Sequence, residues 1–219
     1  MEKRFWVIIG VIIVVFVGIL MLGGKDDKKD TNGGNGTQPT NHVKGKLDSK
    51  VKLVEYGDFQ CPGCGSYYPI VSQILSKYQD KISFQFRNLP LTQIHQHAFA
   101  AARAAEAANA QGKFWEMYDM LYANQQSWSA SSRPTDSFKQ YATQLGLNAD
   151  QFQKDFSSSK ANDVINADIA AFKKTGQSLG TPTFFLNGKK INLKDVSSDQ
   201  SVPSFEKFAK LLDDELAKN

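Results

Sequence analysis

Cys61 and Cys64 are the only cysteines in 219 residues, and Pro62 and Gly63 stand between them. Two thiols at that spacing can join a metal site, exchange electrons as a disulfide, or sit idle. A structural zinc site takes four ligands, of which the pair supplies two. The histidines are His42, His95 and His97. His42 falls in a polar stretch that reads as linker, and the His95–His97 spacing is shorter than that of a zinc-finger pair. No metal is therefore expected. Nor can two cysteines build a disulfide framework for a chain this long. An apolar core must hold the fold, which leaves the pair free for another task.

Position decides reactivity. "VKLVEYGDF" before the pair is rich in β-branched and aromatic residues and reads as a strand. "CPGCGSYYPIVSQILSKYQ" reads as a helix, with Tyr67, Ile70, Val71, Ile74 and Tyr78 at helical spacing. Pro62 suits the first helical position, where a backbone N–H would have no partner. Cys61 then faces the free N–H groups and positive end of the helix, which stabilise a thiolate. Cys64 lies one turn deeper on the same face, less exposed and less acidic. That asymmetry suits dithiol exchange, with Cys61 attacking or attacked and Cys64 resolving the mixed disulfide. The strand-to-helix junction argues against an idle pair.

The surrounding elements must place this junction. "ISFQFRNLP" (82–90) reads as a second strand, so strand, helix and strand form a candidate parallel βαβ unit. An alanine-dense helix follows, broken by Gly112, then further helices capped at Thr135 or Asp136 and at Asn148. Their aromatic residues read as core. "TPTFFLNGKKINL" reads as a hairpin turning at Asn187-Gly188. The last helix has Ser201 or Val202 leading in, Pro203 opening it, and an apolar stripe through Phe205, Phe208, Leu211, Leu212 and Leu216. The expectation is a mixed α/β domain over residues 47–219, whose βαβ and ββα halves are separated by a helical insertion at about 92–176.

Residues 1–24 carry a different signal. Phe5–Leu22 is an unbroken apolar run of eighteen residues, roughly 27 Å long as a helix against a hydrocarbon thickness of ~30 Å. It ends without an A-x-A cleavage site, so an uncleaved transmembrane signal anchor is expected. Lys3 and Arg4 precede the run and Lys25, Lys28 and Lys29 follow it, a balance that sets no direction. Residues 25–46 are polar and Gly/Asn-rich, a linker holding the domain roughly 26 Å from its anchor. The sequon at Asn35 reads as incidental. Net charge is +4, and no basic run interleaved with aromatics is present, so nucleic acid is not an expected partner.

"LVEYGDFQCPGCGSYYP", "AARAAEAANAQGKFWEMYDMLYANQ" and "GTPTFFLNG", in that order, resemble the DsbA-like family of thiol–disulfide oxidoreductases over roughly residues 42–219. The resemblance implies a thioredoxin fold with a helical insertion. It implies Cys61 as nucleophile, Cys64 as resolving thiol, and Pro62 and Gly63 as the active-site loop. It also implies a cis bond before Pro182, with Thr181 contacting the substrate backbone. Glu55 matches a buried acid under the active site that accepts a proton from Cys64, and it shares a strand face with Val51 and Leu53. No cofactor is implied. The implied partners are cysteine-containing exported proteins and a membrane redox protein that reoxidises the pair. Disulfide formation belongs in an oxidising compartment, so the domain is expected on the extracytoplasmic side of the cell membrane. Gly63 departs from the pattern, since strongly oxidising members carry a histidine there. A thioredoxin-like reductase or isomerase, or a non-catalytic peptide-binding module on the same fold, are the competing readings. His95 reads as a helix-start or surface histidine without a catalytic role.

Overall fold

Strand β2 (Lys52–Gly57) points Leu53 and Glu55 to one face and Val54 and Tyr56 to the other, the two-residue period of a pleated strand. It is central in a five-stranded sheet whose order is β1 (His42–Gly45), β3 (Ser83–Asn88), β2, β4 (Thr183–Leu186) and β5 (Lys189–Lys190), in a computed structural model that describes residues 37–198 and 202–218. Helix α1 (Pro62–Tyr78) carries the chain from β2 to β3 (Ser83–Asn88), which pairs parallel to β2. Strand β4 (Thr183–Leu186) pairs antiparallel on the other side of β2. A two-residue turn at Asn187 and Gly188, with φ of 49° and 81°, leads into β5 (Lys189–Lys190), as an Asn-Gly pair favours.

Between β3 and β4 lie α2 (Ala98–Asn109), α3 (Phe114–Ala123), α4 (Gln125–Ser129), α5 (Pro134–Gln144), α6 (Ala149–Phe156) and α7 (Ser159–Lys174). Helix α8 (Phe205–Leu216) closes the chain. On one face of the sheet, Leu53, Phe84, Phe86 and Phe184 are buried in one cluster with Tyr67, Val71 and Ile74 of α1 and Phe208 and Leu212 of α8. Phe184 lies between the two helices, 5.4 Å from the Tyr67 ring and 5.3 Å from that of Phe208. Phe184→Ala would cost about 3–5 kcal/mol. On the other face Tyr56, Leu89 and Phe185 pack with Phe172 of α7 in a smaller cluster.

Several local expectations are corrected. Strand β1 (His42–Gly45) lies inside the stretch read as linker, 25–46, and pairs antiparallel with β3. Its four residues show no apolar alternation. Its support is tertiary: Thr40 and His42 bond Asp168 and Glu106, 128 and 64 residues away. Helices α6 and α7 are separate because the Ser158 hydroxyl accepts from Ala161 N and caps a new helix. Helix α5 begins at Pro134 with Arg133 as its cap residue, ahead of Thr135 and Asp136. Helix α8 is capped by Ser204, while Pro203 instead forms a bridge with Ser197. The apolar run Phe5–Leu22 lies outside the described residues. Among the described residues no helix is long and apolar enough to cross a membrane.

Candidate active site

Chain direction changes between Gly57 and Pro62, and backbone bonds shape the bend. Cys61 N–H donates to the Asp58 carbonyl at 3.1 Å, and Gly65 N–H donates to the Cys61 carbonyl at 3.1 Å. Cys61 is the cap residue of α1, with φ −66° and ψ 121°, and Pro62 follows at the first helical position, where it costs no hydrogen bond. Cys61 is 8% exposed and Cys64 fully buried, both as free thiols.

Side chains far away in sequence hold this bend. The buried Asp58 carboxylate accepts from Gln60 N at 2.7 Å and Leu91 N at 2.9 Å, and its Oδ2 lies 2.7 Å from His95 Nδ1. The Asp58 N–H reaches Cys64 Sγ at 3.4 Å. Gln60 Oε1 accepts from His97 N at 2.7 Å. Gln125 Nε2 donates to the carbonyls of Phe59 and Cys61, at 2.8 and 2.9 Å. The reading of His95 as a helix-start or surface residue is corrected: it is largely buried against Asp58. Its partner is 37 residues away, so nothing local signals the pairing.

The thiols differ electrostatically as much as in exposure. Cys61 is lowered from 9.0 to about 5. The Cys64 thiol donating to it is the largest cause; partial burial opposes; Thr181 and the N–H groups of Cys64 and Gly63 add to the lowering. Thr181 offers two oxygens. Its carbonyl lies 3.3 Å from Cys61 Sγ and accepts from the protonated thiol, which would favour that form. Its hydroxyl, buried without another partner, is the group able to donate to a thiolate, so the lowering belongs to the hydroxyl. Cys64 is pushed well above 9.0 by burial, by donation to Cys61 and by the charges of Cys61 and Glu55. Glu55 is 1% exposed, its Oε2 unpartnered, and it is raised from 4.5 to about 8 by burial and then by the Cys61 charge.

The fold thus brings Glu55, Cys61, Cys64, Thr181 and Pro182 to one place. The Thr181–Pro182 bond is cis, and a Cβ on Gly63 would lie 3.3 Å from Pro182 Cδ. Two open grooves flank the mouth. One, of about 620 Å³, runs past Gly180–Thr183 and Lys190–Lys194; the other, of about 730 Å³, runs past Gln60, Pro62, Ser66 and Asn124–Ser127. Such a site can form and break a disulfide at Cys61 and move a proton at Cys64. Among the described residues no three His, Cys, Asp or Glu side chains gather to hold a metal ion.

A family model described as thioredoxin matches residues 37–214. Among solved structures, BdbD from Bacillus subtilis in its oxidised form is 21% identical with a TM-score of 0.67, over 82% of this chain and 96% of that one. Wolbachia pipientis alpha-DsbA1 is 20% identical with a TM-score of 0.66, over 82% and 92%. These likenesses show the thioredoxin-like fold with its helical insertion. Among curated proteins, "Na(+)/H(+) antiporter NhaA 1" of Salinispora arenicola is 42% identical over 154 residues, 68% of this chain and 22% of that protein. "Na(+)/H(+) antiporter NhaA" of Herminiimonas arsenicoxydans is 31% identical over 150 residues, 68% and 23%. The chain spans about a fifth of the length of the curated relatives it matches.

Proposed function

This chain belongs to the thioredoxin family, and from that premise we propose that it is a membrane-anchored thiol–disulfide oxidoreductase that forms disulfides in exported proteins. The observation that carries the reading is the opposed pair of thiols, Cys61 acidic and at the mouth, Cys64 hardly acidic and buried.

In the oxidised form, a substrate thiolate attacks Cys61 Sγ. A substrate–Cys61 disulfide forms, the Cys61–Cys64 bond breaks, and Cys64 leaves as a thiolate that takes up a proton. A second substrate thiolate then attacks the substrate sulfur, a substrate disulfide forms, and Cys61 departs as a stabilised thiolate. Two electrons have moved from substrate to enzyme, and a redox partner must accept them to restore the disulfide. Glu55 is the acid behind Cys64. It is raised partly by the Cys61 charge, which vanishes in the mixed disulfide, so at that stage it gives up its proton more readily and supplies the one the departing Cys64 takes up; when Cys64 attacks in the reverse step, the carboxylate accepts that proton back. Thr181 and Pro182, at the mouth beside Cys61, are placed to meet the substrate backbone.

Gly63 does not deprive Cys61 of a stabilised thiolate. The Cys64 thiol, Thr181 and two backbone N–H groups act in place of a charged neighbour. A Cys61 near 5 makes the reduced form at pH 7 up to ~100-fold more favourable than an ordinary thiol would, at most ~60 mV toward oxidising. That shift supports oxidation of substrates over their reduction.

Membrane attachment through residues 5–22, with residues 25 to about 40 as tether, completes the proposal. The domain works outside the cytoplasm on cysteine-containing exported proteins, reoxidised by a partner in the membrane. Support comes from the apolar run, from the need of a disulfide donor for an oxidising compartment, and from related domains within proteins named as antiporters. Antiport itself is not carried over from a match to a fifth of their length.

Equilibration of the full chain with glutathione buffers tests the reading. A reversible Cys61–Cys64 couple, with oxidation of a reduced unfolded protein, is expected. Absence of the couple would sink the activity, and a potential toward ~−270 mV would sink its direction. Labelling of Cys61 by an impermeant thiol reagent on intact cells tests the side of the membrane.

A further inference from the structure

Gln125 opens α4, 60 residues beyond Gly65 in sequence, yet its carboxamide rests against the first turn of α1. Both groups it meets there, the carbonyls of Phe59 and Cys61, are acceptors, so only the orientation that turns Nε2 toward them satisfies the site. The Cys61 carbonyl also accepts from Gly65 N–H. Held from two sides, it sets ψ of the cap residue. That torsion fixes how Sγ stands to the N–H groups of Gly63 and Cys64.

Space for the carboxamide comes from Gly65. A Cβ there would collide with Gln125 Oε1 and touch its Cδ and Nε2. Within a helix a glycine is ordinarily a weakness, and alanine an improvement. At residue 65 a methyl group would push the Gln125 carboxamide out of the position from which it makes both hydrogen bonds.

We infer that Gln125 is a positioning residue for Cys61, a donor from the helical insertion that locks the cap of α1, and that Gly65 leaves the room in which it does so. The inference rests on reading Cys61 as the attacking thiol. It makes the insertion a determinant of thiol reactivity as well as a cover for the sheet.

The test is the pH dependence of Cys61 alkylation by iodoacetamide in the reduced full-length chain, followed by mass spectrometry. It reads the thiolate directly and requires no turnover. Gln125→Met keeps length and bulk but loses the donor, and should move the profile up by about one pH unit, a roughly tenfold slower reaction at pH values below it. Gly65→Ala should produce the same shift while leaving Gln125 unchanged. The Gly65→Ala/Gln125→Met pair should shift no further than either alone, because both remove one interaction. Wild-type profiles in both single variants, or shifts that add in the double variant, overturn the inference. A moved profile in a chain with no reversible couple would uphold it and reject the oxidoreductase reading instead.

Discussion

Two of the buried carboxylates do opposite work in this domain, Glu55 behind the cysteines and Asp168 beside the β1 edge. Burial is the largest influence on both, and raises both. What differs is the company. Asp168 accepts from Thr40 N and Oγ1 at 2.8 and 2.6 Å and from Asn88 N at 2.9 Å, and these bonds draw its pKa back down against burial. Nearby, Glu106 takes His42 and the Asn88 amide, at 2.8 and 2.7 Å. Glu55 Oε2 has no such partner, and the hydroxyls of Tyr118 and Tyr122, whose titration feels its charge, have none either. A buried acid supplied with donors stays put and ties elements together. One denied them holds its proton near neutral pH and can trade it.

The sharpest way to break that contrast is to titrate stability. A raised acid contributes stability that is complete below its unfolded value and is lost as pH rises through its folded value. For Glu55 the window runs from 4.5 to about 8, and the full shift corresponds to roughly 5 kcal/mol. Denaturant melts of the reduced chain between pH 5 and 9 should show that loss, and Glu55→Gln should remove most of it. Equal slopes in the two proteins would mean Glu55 is ionised and partnered after all.

Asp168→Ala strikes the other region. It leaves the N–H groups of Thr40 and Asn88 without their acceptor and should cost about 3 kcal/mol at pH 7. Cys61 alkylation at each pH should be unchanged. A moved thiol profile would show that the two polar regions are coupled.

The cysteine pair itself sharpens the comparison. Cys61 is a lowered group, so the stability it contributes is complete above 9.0 and is lost as pH falls through about 5. Only the reduced protein has that thiolate. Its stability relative to the disulfide form should therefore fall by about 2 kcal/mol between pH 7 and pH 4, once its partly solvated site is discounted. Paired melts of the two redox forms would show it, and a gap independent of pH would refute the thiolate as its source.

His95→Ala gives the smallest expected effect. Asp58 keeps the Gln60 and Leu91 N–H groups, so the loss should be about 1 kcal/mol. Mixed disulfides trapped on a Cys64→Ser background should accumulate as before. Loss of trapping would give His95 a part in substrate capture.

Local chemistry is legible where a conformation is decided within a turn or two of chain. Pro62 at the head of α1, the Asn187-Gly188 turn, the Asn148 cap and the alternation that buries Glu55 with Leu53 depend on residue types a few positions apart, and each can be read from the amino-acid order. From the same local patterns come the proposed anchor, which lies outside the described residues, and the proposed tether, whose last residues are drawn into the sheet as β1. Partner choice across the fold is not legible in that way. Gln125 with Cys61, His95 with Asp58 and Thr40 with Asp168 are 64, 37 and 128 residues apart, and a glutamine, a histidine or a threonine looks the same in sequence whether or not it meets anything. The two cysteines are there in the sequence, at the mouth of a helix. How acidic each becomes was decided by the tertiary structure, because a thiol's pKa is set by the donors, charges and solvent that folding brings within a few ångströms of its sulfur.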